Sequence, residues 1–137
     1  VLPSPMYHPF AHLIADNGRE LSRTSMILRD GRYELDFQDL EKKLADSRAS
    51  LLIFCSPHNP SGRVFTRSEL EQVIRLCHRH QVLLLCDEIH SDFCFSGHPF
   101  VSAGQHCRAA ELRYPDPQPF KPRCLQQGFD QPAPDEL

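Results

Sequence analysis

Residues 51–90 read LLIFCSPHNPSGRVFTRSELEQVIRLCHRHQVLLLCDEIH and contain two continuous apolar runs of strand length, at residues 51–55 and 82–86. Between the runs, Thr66 and Glu69 match a capping box, in which Ser or Thr is followed three residues later by Glu. The helix that this box begins has apolar residues at i, i+3, i+4 and i+7: Leu70, Val73, Ile74 and Cys77. Two strands that are apolar on both faces and are joined by a helix predict an α/β protein with a buried parallel sheet.

Polar residues follow each of the two predicted strands. Residues 56–62 (SPHNPSG) come after the first strand, and residues 87–90 (DEIH) come after the second. Both segments are expected at one edge of the sheet, because open α/β sheets bind ligands beyond the carboxyl ends of their strands. Asp87 is then either a helix cap or solvated carboxylate, or a group that holds a protonated heteroaromatic nitrogen. Asn59 is either part of an ordinary Asn-Pro turn or an amide donor to a cofactor oxygen.

The residues before this segment predict further elements of an alternating fold. A short helix that begins at Pro9 is expected to end at Asn17-Gly18, where a left-handed cap fits the sequence. Residues 20–28 predict a strand. Asp36 is the predicted N-cap of a second helix, and this helix bears the apolar residues Phe37, Leu40 and Leu44.

The chain divides into an ordered part, residues 1–105, and a Pro-rich tail, residues 106–137. Half of the 12 prolines lie between Pro115 and the last residue, and the tail has no apolar periodicity. Repeated proline removes backbone donors and blocks both helices and interior strands. The tail is therefore predicted to be disordered.

The composition argues against several classes of protein. The 137 residues have a net charge of −3 and no basic patch, so neither nucleic acid nor a membrane is an expected partner. No segment approaches the roughly 18 apolar residues of a membrane span, and no signal peptide is visible. Cys55, Cys77 and Cys86 lie in apolar patterns, where a free thiol acts as a small hydrophobe. A reduced, cytoplasmic protein is expected.

Several segments, in order along the chain, resemble one family of enzymes. Residues 56–66 (SPHNPSGRVFT) and 84–92 (LLCDEIHSD) resemble the large domain of class I/II aminotransferases, which are fold-type-I enzymes that depend on pyridoxal 5'-phosphate (PLP). More narrowly, they resemble the cystathionine β-lyase and maltose-regulon modulator group of carbon–sulfur β-lyases. The resemblance continues upstream in three shorter motifs: Pro5-x-Tyr7-x-Pro9-Phe10, Asn17-x-Arg19 and Tyr33-x-x-Asp36-Phe37.

The resemblance implies that residues 1–105 are part of a large domain with a mixed, mostly parallel, doubly wound sheet. It implies that Asp87 pairs with the pyridine nitrogen of PLP and that Asn59 donates to the phenolic oxygen of the ring. Tyr7 would stack on one ring face, where a flat aromatic gives area and orientation, and Ile89 would pack on the other. His90 stands where many aminotransferases have a Tyr, and this favours the β-lyase branch.

The implied reaction releases a thiol, ammonia and pyruvate from a small sulfur-containing amino acid, in a homodimeric enzyme. A PLP-dependent aminotransferase uses nearly the same site and stays an alternative. The family's lysine that binds PLP covalently lies in a Ser-Lys-Thr/Ser-like segment, and no such segment occurs in these 137 residues. Lys121, which is flanked by Phe120 and Pro122, is the only lysine after Asp87. No catalytic residue is therefore assigned, and this chain alone is expected to be inactive. A catalytically inactive truncated or interaction protein stays a further alternative.

Two other kinds of site are disfavoured by the spacing of their residues. His78 and His80 are two apart and do not share a helix face, so a zinc site is not expected. Cys86 adjoins Asp87, and a neighbouring carboxylate raises the pKa of a thiol, whereas a nucleophilic cysteine needs a lowered pKa.

Overall fold

The computed structural model describes residues 1–105 and 125–127 of the chain. In chain order the elements are β1 Leu2–Ser4, α1 His8–Asp16, β2 Arg23–Arg29, β3 Arg32–Leu35, α2 Phe37–Leu44, β4 Leu51–Cys55, α3 Arg67–Arg79, β5 Leu83–Asp87 and β6 Leu125–Gln127. The predicted α/β class is confirmed. The tail predicted at 106–137 lies outside the described residues except for β6, a strand that the sequence pattern did not predict.

The strands form a mixed and mostly parallel arrangement. β4 pairs in parallel with β5, from Leu51 opposite Leu83 to Cys55 opposite Asp87, and β5 pairs in parallel with β6. β1 is parallel to β2, and β2 is antiparallel to β3. Val1 links the two groups of strands. Its nitrogen donates to the Leu51 carbonyl at 2.5 Å and its carbonyl accepts from the Ile53 N–H at 3.1 Å, which is the bonding pattern of parallel neighbours.

The core lies between one face of β4–β5 and the helices α2 and α3. The two strands contribute every second side chain to it, namely Leu52, Phe54, Leu84 and Cys86, and the helices contribute Leu40, Leu44, Leu70, Val73, Ile74, Leu76 and Cys77. Each of these leucines is almost fully buried, and burying one contributes about 2 kcal/mol to stability. The predicted apolar face of α3 is therefore the face that packs on the sheet.

The ends of the helices follow local sequence signals. Asp36 Oδ1 accepts from the backbone N–H groups of Gln38 and Asp39, both at 3.0 Å, and so caps α2 as predicted. The capping box of Thr66 and Glu69 is also present at the start of α3. These contacts satisfy N–H groups that have no partner within the first turn of a helix.

The predicted strand at residues 20–28 begins too early. β2 starts only at Arg23, and residues 17–19 close the end of α1. The Gly18 backbone has φ of +62° and its N–H donates to the Ala15 carbonyl at 2.9 Å. The Arg19 N–H donates to the Ile14 carbonyl at 3.0 Å, so this backbone is used to close the helix before a strand can form.

The loop of residues 56–66 is fixed by its own backbone and by one buried arginine. The His58 N–H donates to the Arg63 carbonyl at 2.8 Å, and the Gly62 N–H donates to the His58 carbonyl at 2.7 Å. The Arg63 guanidinium donates to the Tyr33 carbonyl at 2.7 Å and pairs with Glu69. It also lies 4.8 Å from the ring centre of Phe65. These contacts tie the loop to β3 and to the start of α3.

Burial raises the pKa of Glu69, but hydrogen bonds from Thr66 and Arg63 outweigh burial and hold that pKa below its usual value. Glu69→Ala is expected to destabilise the chain by about 3 kcal/mol, because it leaves the Arg63 side chain, which is 6% exposed, without its counter-charge. Urea unfolding at pH 7 measures this loss. Glu71→Ala is the matched control on the same helix, since Glu71 forms only a surface pair with Arg75 at 3.8 Å, typically worth less than about 1 kcal/mol. Equal losses in the two variants would contradict a structural role for the Arg63–Glu69 pair.

A second prediction concerns the stability of the chain in mild acid. Burial, and then the positive charge of Arg63, lowers the pKa of His58 to about 4 from 6.5. The unfolded chain therefore binds more protons below pH 6.5, so this stabilisation is complete above pH 6.5 and is lost as the pH falls through 4. Between pH 7 and pH 5 the free energy of unfolding is expected to fall by roughly 2 kcal/mol on this account.

The measurement is urea unfolding of the wild-type chain and of two variants at both pH values. His58→Gln is expected to remove most of the fall, whereas His12→Gln, which changes an exposed side chain of α1, keeps it. An unchanged pH dependence in His58→Gln would show that His58 is not the group responsible.

Candidate active site

Asp87 is the last residue of β5 and lies half-buried at the carboxyl edge of the sheet. Its Oδ1 accepts from the Ile89 N–H at 3.1 Å, which fixes the orientation of the carboxylate. Within the described part of the chain, Oδ2 has no hydrogen-bond donor. The Ser56 N–H donates to the Asp87 carbonyl at 3.0 Å, so the parallel pairing of the strands continues to this point. One carboxylate oxygen is therefore held in place and the other is left to accept a hydrogen bond from a ligand.

Cys55 joins Asp87 to the segment that contains Asn59. It lies opposite Asp87 in the register of β4 and β5. Its thiol donates to the Pro57 carbonyl at 3.1 Å, within the segment that contains Asn59. Burial, with a further contribution from Asp87, raises the pKa of the Cys55 thiol to about 11 against the opposing effect of the Asn59 N–H. The two segments that the sequence predicted at one edge are thus brought together there.

Glu88 is a residue that the sequence reasoning missed. Its side chain is only 1% exposed, and its carboxylate accepts from the Ser102 hydroxyl at 2.9 Å and from the Ala103 N–H at 2.7 Å. Burial first, and then Glu88, raises the pKa of the Cys86 thiol well above its usual value, as expected for a structural rather than a nucleophilic cysteine. The alternation of side chains along a strand could have predicted that Glu88 is buried. Residues 84 and 86 face the core from β5, and Glu88, directly after this strand, continues the same alternation.

The other predicted residues lie at the same edge. The hydrogen bonds of Val1 make β1 parallel to β4. The carboxyl end of β1 therefore lies at the same edge as the carboxyl end of β4, and Tyr7 follows β1 by three residues. Tyr7 is 46% exposed and meets Phe10 edge to face at 5.5 Å between ring centres. Ile89 is 55% exposed, and His90 is half-buried with its ring 6.4 Å from the ring of Phe93. Exposed apolar surface on Tyr7 and Ile89 is suited to the faces of a flat ring.

A cavity of about 750 Å³ lies on the face of β4 and β5 opposite the core, towards the amino ends of these strands. The cavity is lined by Leu51, Ile53, Leu83 and Leu85 from the sheet, together with Leu13 and Ile14 of α1. It is apolar on its sheet side and contains none of the predicted site residues. No helix within residues 1–105 is long and apolar enough to cross a membrane. Lys121 lies outside the described residues.

The chain matches known proteins over most of its length. The sequence model of the family "Aminotransferase class I and II" matches residues 1–116. Cystathionine beta-lyase PatB of Bacillus subtilis is 45% identical over 105 residues, which cover 74% of this chain and 27% of that protein. Kynurenine–oxoglutarate transaminase 1 of Homo sapiens is 39% identical over 70 residues, which cover 51% of this chain and 16% of that protein.

The fold agrees with this match. Cystalysin from Treponema denticola, whose crystal structure contains a pyridoxal 5'-phosphate cofactor, superposes with a TM-score of 0.72 at 35% identity, covering 74% of this chain and 26% of that chain. The doubly wound arrangement expected from the resemblance is therefore confirmed. The chain spans about a quarter of the length of its curated relatives. For the PatB lyase of Bacillus subtilis, the matched residues cover 27% of that protein. By its match from residue 1 to residue 116, this chain belongs to the aminotransferase class I and II family.

Proposed function

We propose that this chain supplies the ring-binding part of a PLP site in a carbon–sulfur β-lyase. The observation that supports this most directly is the Asp87 carboxylate at the end of β5, which has one anchored and one available oxygen. The 45% identity to a cystathionine beta-lyase supports the lyase assignment. The complete enzyme would release a thiol, ammonia and pyruvate from a small sulfur-containing amino acid, as a cytoplasmic homodimer.

The chemistry of the site residues fits a protonated pyridine ring with a phenolic oxygen. Asp87 Oδ2 is an anionic acceptor for the N–H of the ring. The side-chain amide of Asn59 is a neutral donor for the phenolic oxygen. Tyr7 and Ile89 offer exposed apolar surface for the two faces of the ring. An acceptor, a donor and apolar surface are thus available at one edge of the sheet.

Each residue has a distinct task in this proposal. PLP, when bound, supplies an electron sink that stabilises negative charge at the substrate α-carbon. Asp87 keeps the ring nitrogen protonated, because a fixed negative charge favours the cationic form of its partner. Asn59 orients the ring by donating to its oxygen, and Tyr7 and Ile89 limit the access of water to its faces. These residues bind and orient the cofactor, and the proton transfers at the substrate need a group beyond this set.

An aminotransferase is the second candidate function. Kynurenine–oxoglutarate transaminase 1, at 39% identity over 70 residues, supports it. His90 favours the lyase, because many aminotransferases have a Tyr at that place. A third candidate is a non-catalytic chain that binds PLP or the full-length relative. It is favoured by the lack, in these 137 residues, of a Ser-Lys-Thr/Ser-like segment.

The candidates differ in where PLP becomes attached to lysine. The purified chain is incubated with PLP and reduced with borohydride, and pyridoxyl-lysine is mapped by mass spectrometry. Scattered labelling far below one adduct per chain is expected, because the family's lysine segment does not occur in this sequence. Pyruvate formation from cystathionine is measured in parallel and none is expected. A single stoichiometric adduct at Lys121, or measurable pyruvate, would contradict the expectation that this chain alone is inactive.

The role of Asp87 is tested by non-covalent binding of PLP, followed by its absorbance and fluorescence at pH 7.5. Asp87→Asn keeps an oxygen for the Ile89 N–H but removes the negative charge, so PLP is expected to bind about tenfold more weakly or worse, a difference of ~1.4 kcal/mol. Asp92→Asn is the matched control, because it removes an exposed carboxylate five residues away and is expected to bind PLP like the wild type. Equal binding by all three proteins would argue against a ring-binding site at Asp87.

A further inference from the structure

We propose that Ser61 is a positioning residue for Asn59, because its hydrogen bond to the buried ring of His58 holds the turn that contains Asn59 in one conformation. This turn is residues 59–62, and it follows β4 at the carboxyl edge of the sheet. The inference rests on the proposed function for what Asn59 binds, whereas the contacts that shape the turn are independent of any ligand.

His58 closes the turn through three separate contacts. Its N–H donates to the Arg63 carbonyl at 2.8 Å, and its carbonyl accepts from the Gly62 N–H at 2.7 Å. Gly62 has φ of +67°, a conformation that glycine adopts readily. The third contact joins His58 Nδ1 to the Ser61 hydroxyl at 2.8 Å. The two backbone bonds hold the ends of the turn, and the side-chain bond adds a contact from its middle.

His58 is the fixed member of the pair that it forms with Ser61. His58 is 3% exposed, and its ring lies edge to face with Phe65 at 6.2 Å between ring centres. Phe65 is 1% exposed and packs against Phe54 of β4 at 4.7 Å between ring centres. Ser61 is only half-buried, and the residues on either side of it are exposed. The core therefore sets the position of the imidazole, and the imidazole sets the position of Ser61.

The hydrogen bond between the two side chains is available at physiological pH. Burial, and then the charge of Arg63, lowers the pKa of His58 to about 4, so the ring is neutral at pH 7. A neutral imidazole has one N–H and one acceptor nitrogen, and a serine hydroxyl both donates and accepts. The bond from Nδ1 to Ser61 therefore forms with either tautomer of the ring.

Asn59 and Pro60 lie between the two residues whose side chains are bonded. A contact between His58 and Ser61 limits the backbone conformations of the two residues that it encloses. Without that contact, the backbone at Asn59 regains conformational freedom, and fixing it again is a cost to any ligand that Asn59 binds. Loss of the Ser61 hydroxyl is therefore expected to weaken binding of PLP although Ser61 itself does not touch the ring.

A simpler role for Ser61, as a polar residue suited to an exposed turn, makes a different prediction. Serine is common in turns whether or not a ligand binds there. If the backbone bonds of His58 alone fix the turn, Ser61→Ala leaves both the mobility of the turn and the binding of PLP unchanged. If the hydroxyl is needed, alanine changes both and threonine, which keeps a hydroxyl, restores both.

The test compares the wild-type chain with Ser61→Ala and Ser61→Thr in the full 137-residue protein. Three readouts are used: hydrogen exchange of the Gly62 amide without PLP, relative to the core amide of Leu84; the nitrogen NMR signals of the His58 ring; and the dissociation constant for PLP. In Ser61→Ala, exchange at Gly62 is expected to be about fivefold faster and PLP binding about threefold weaker or worse, as for the loss of one hydrogen bond. The Nδ1 signal of His58 is expected to shift. Ser61→Thr is expected to match the wild type within about twofold.

Ser68→Ala is the matched control. It removes an exposed hydroxyl that lies 3.1 Å from Thr66 Oγ1 at the start of α3, outside the turn. It is expected to leave the Gly62 exchange, the His58 ring signals and PLP binding unchanged. If Ser61→Ala does not fold, Ser61→Cys replaces it, because a thiol is close to a hydroxyl in size and hydrogen-bonds only weakly.

The outcomes separate this inference from the proposed function. If the wild-type chain does not bind PLP, but Ser61→Ala speeds exchange at Gly62 and Ser61→Thr restores it, Ser61 still holds the turn and PLP is not its ligand. Unchanged Gly62 exchange in Ser61→Ala would overturn the positioning role whether or not PLP binds. Faster exchange with unchanged PLP binding would also overturn it, as would a Ser61→Thr variant that behaves like Ser61→Ala.

Discussion

The register of β4 and β5 is the constraint on which the site depends. Leu51 lies opposite Leu83 and Cys55 lies opposite Asp87, and every second residue between them faces the core. A slip of one residue would exchange the two faces of a strand. The Asp87 carboxylate would then enter the apolar core and Cys86 would be exposed at the edge. Because burying an unpaired charge is strongly unfavourable, the apolar core selects the register, and the register places the carboxylate.

The two adjacent acids at the end of β5 show how one strand serves both structure and site. Asp87 lies on the face away from the core, and no donor among the described residues meets its Oδ2, whereas Glu88 points inward and is 1% exposed. Both oxygens of Glu88 accept hydrogen bonds, from the Ser102 hydroxyl and the Ala103 N–H. A buried carboxylate is tolerated when donors satisfy its oxygens. Glu88 therefore ties residues 102–103 to the strand end.

Local sequence signals predicted the central part of the fold, whereas the rest depends on contacts between residues that are far apart in the chain. The apolar runs, the capping box and the Asp36 cap each depend on a few neighbouring residues, so α2, β4, α3 and β5 were predictable from the sequence. β1 and β3 are only three and four residues long and have no such signal. The parallel pairing was enough to place Asn59 and Asp87 at one edge. The contacts of Arg63 with Tyr33 and Glu69 were not predictable, because they join distant parts of the chain.

The proposed site would explain why lyases and aminotransferases both match the same stretch of sequence. In the proposed site, the residues at this edge would hold the ring of PLP, through an acceptor at Asp87, a donor at Asn59 and apolar surface at Ile89. Holding the ring nitrogen protonated stabilises negative charge at the substrate α-carbon, and both reactions need that charge. They differ only in the later fate of the charge, through loss of a β-thiolate or through protonation at the cofactor. A group that touches the substrate has to direct that choice.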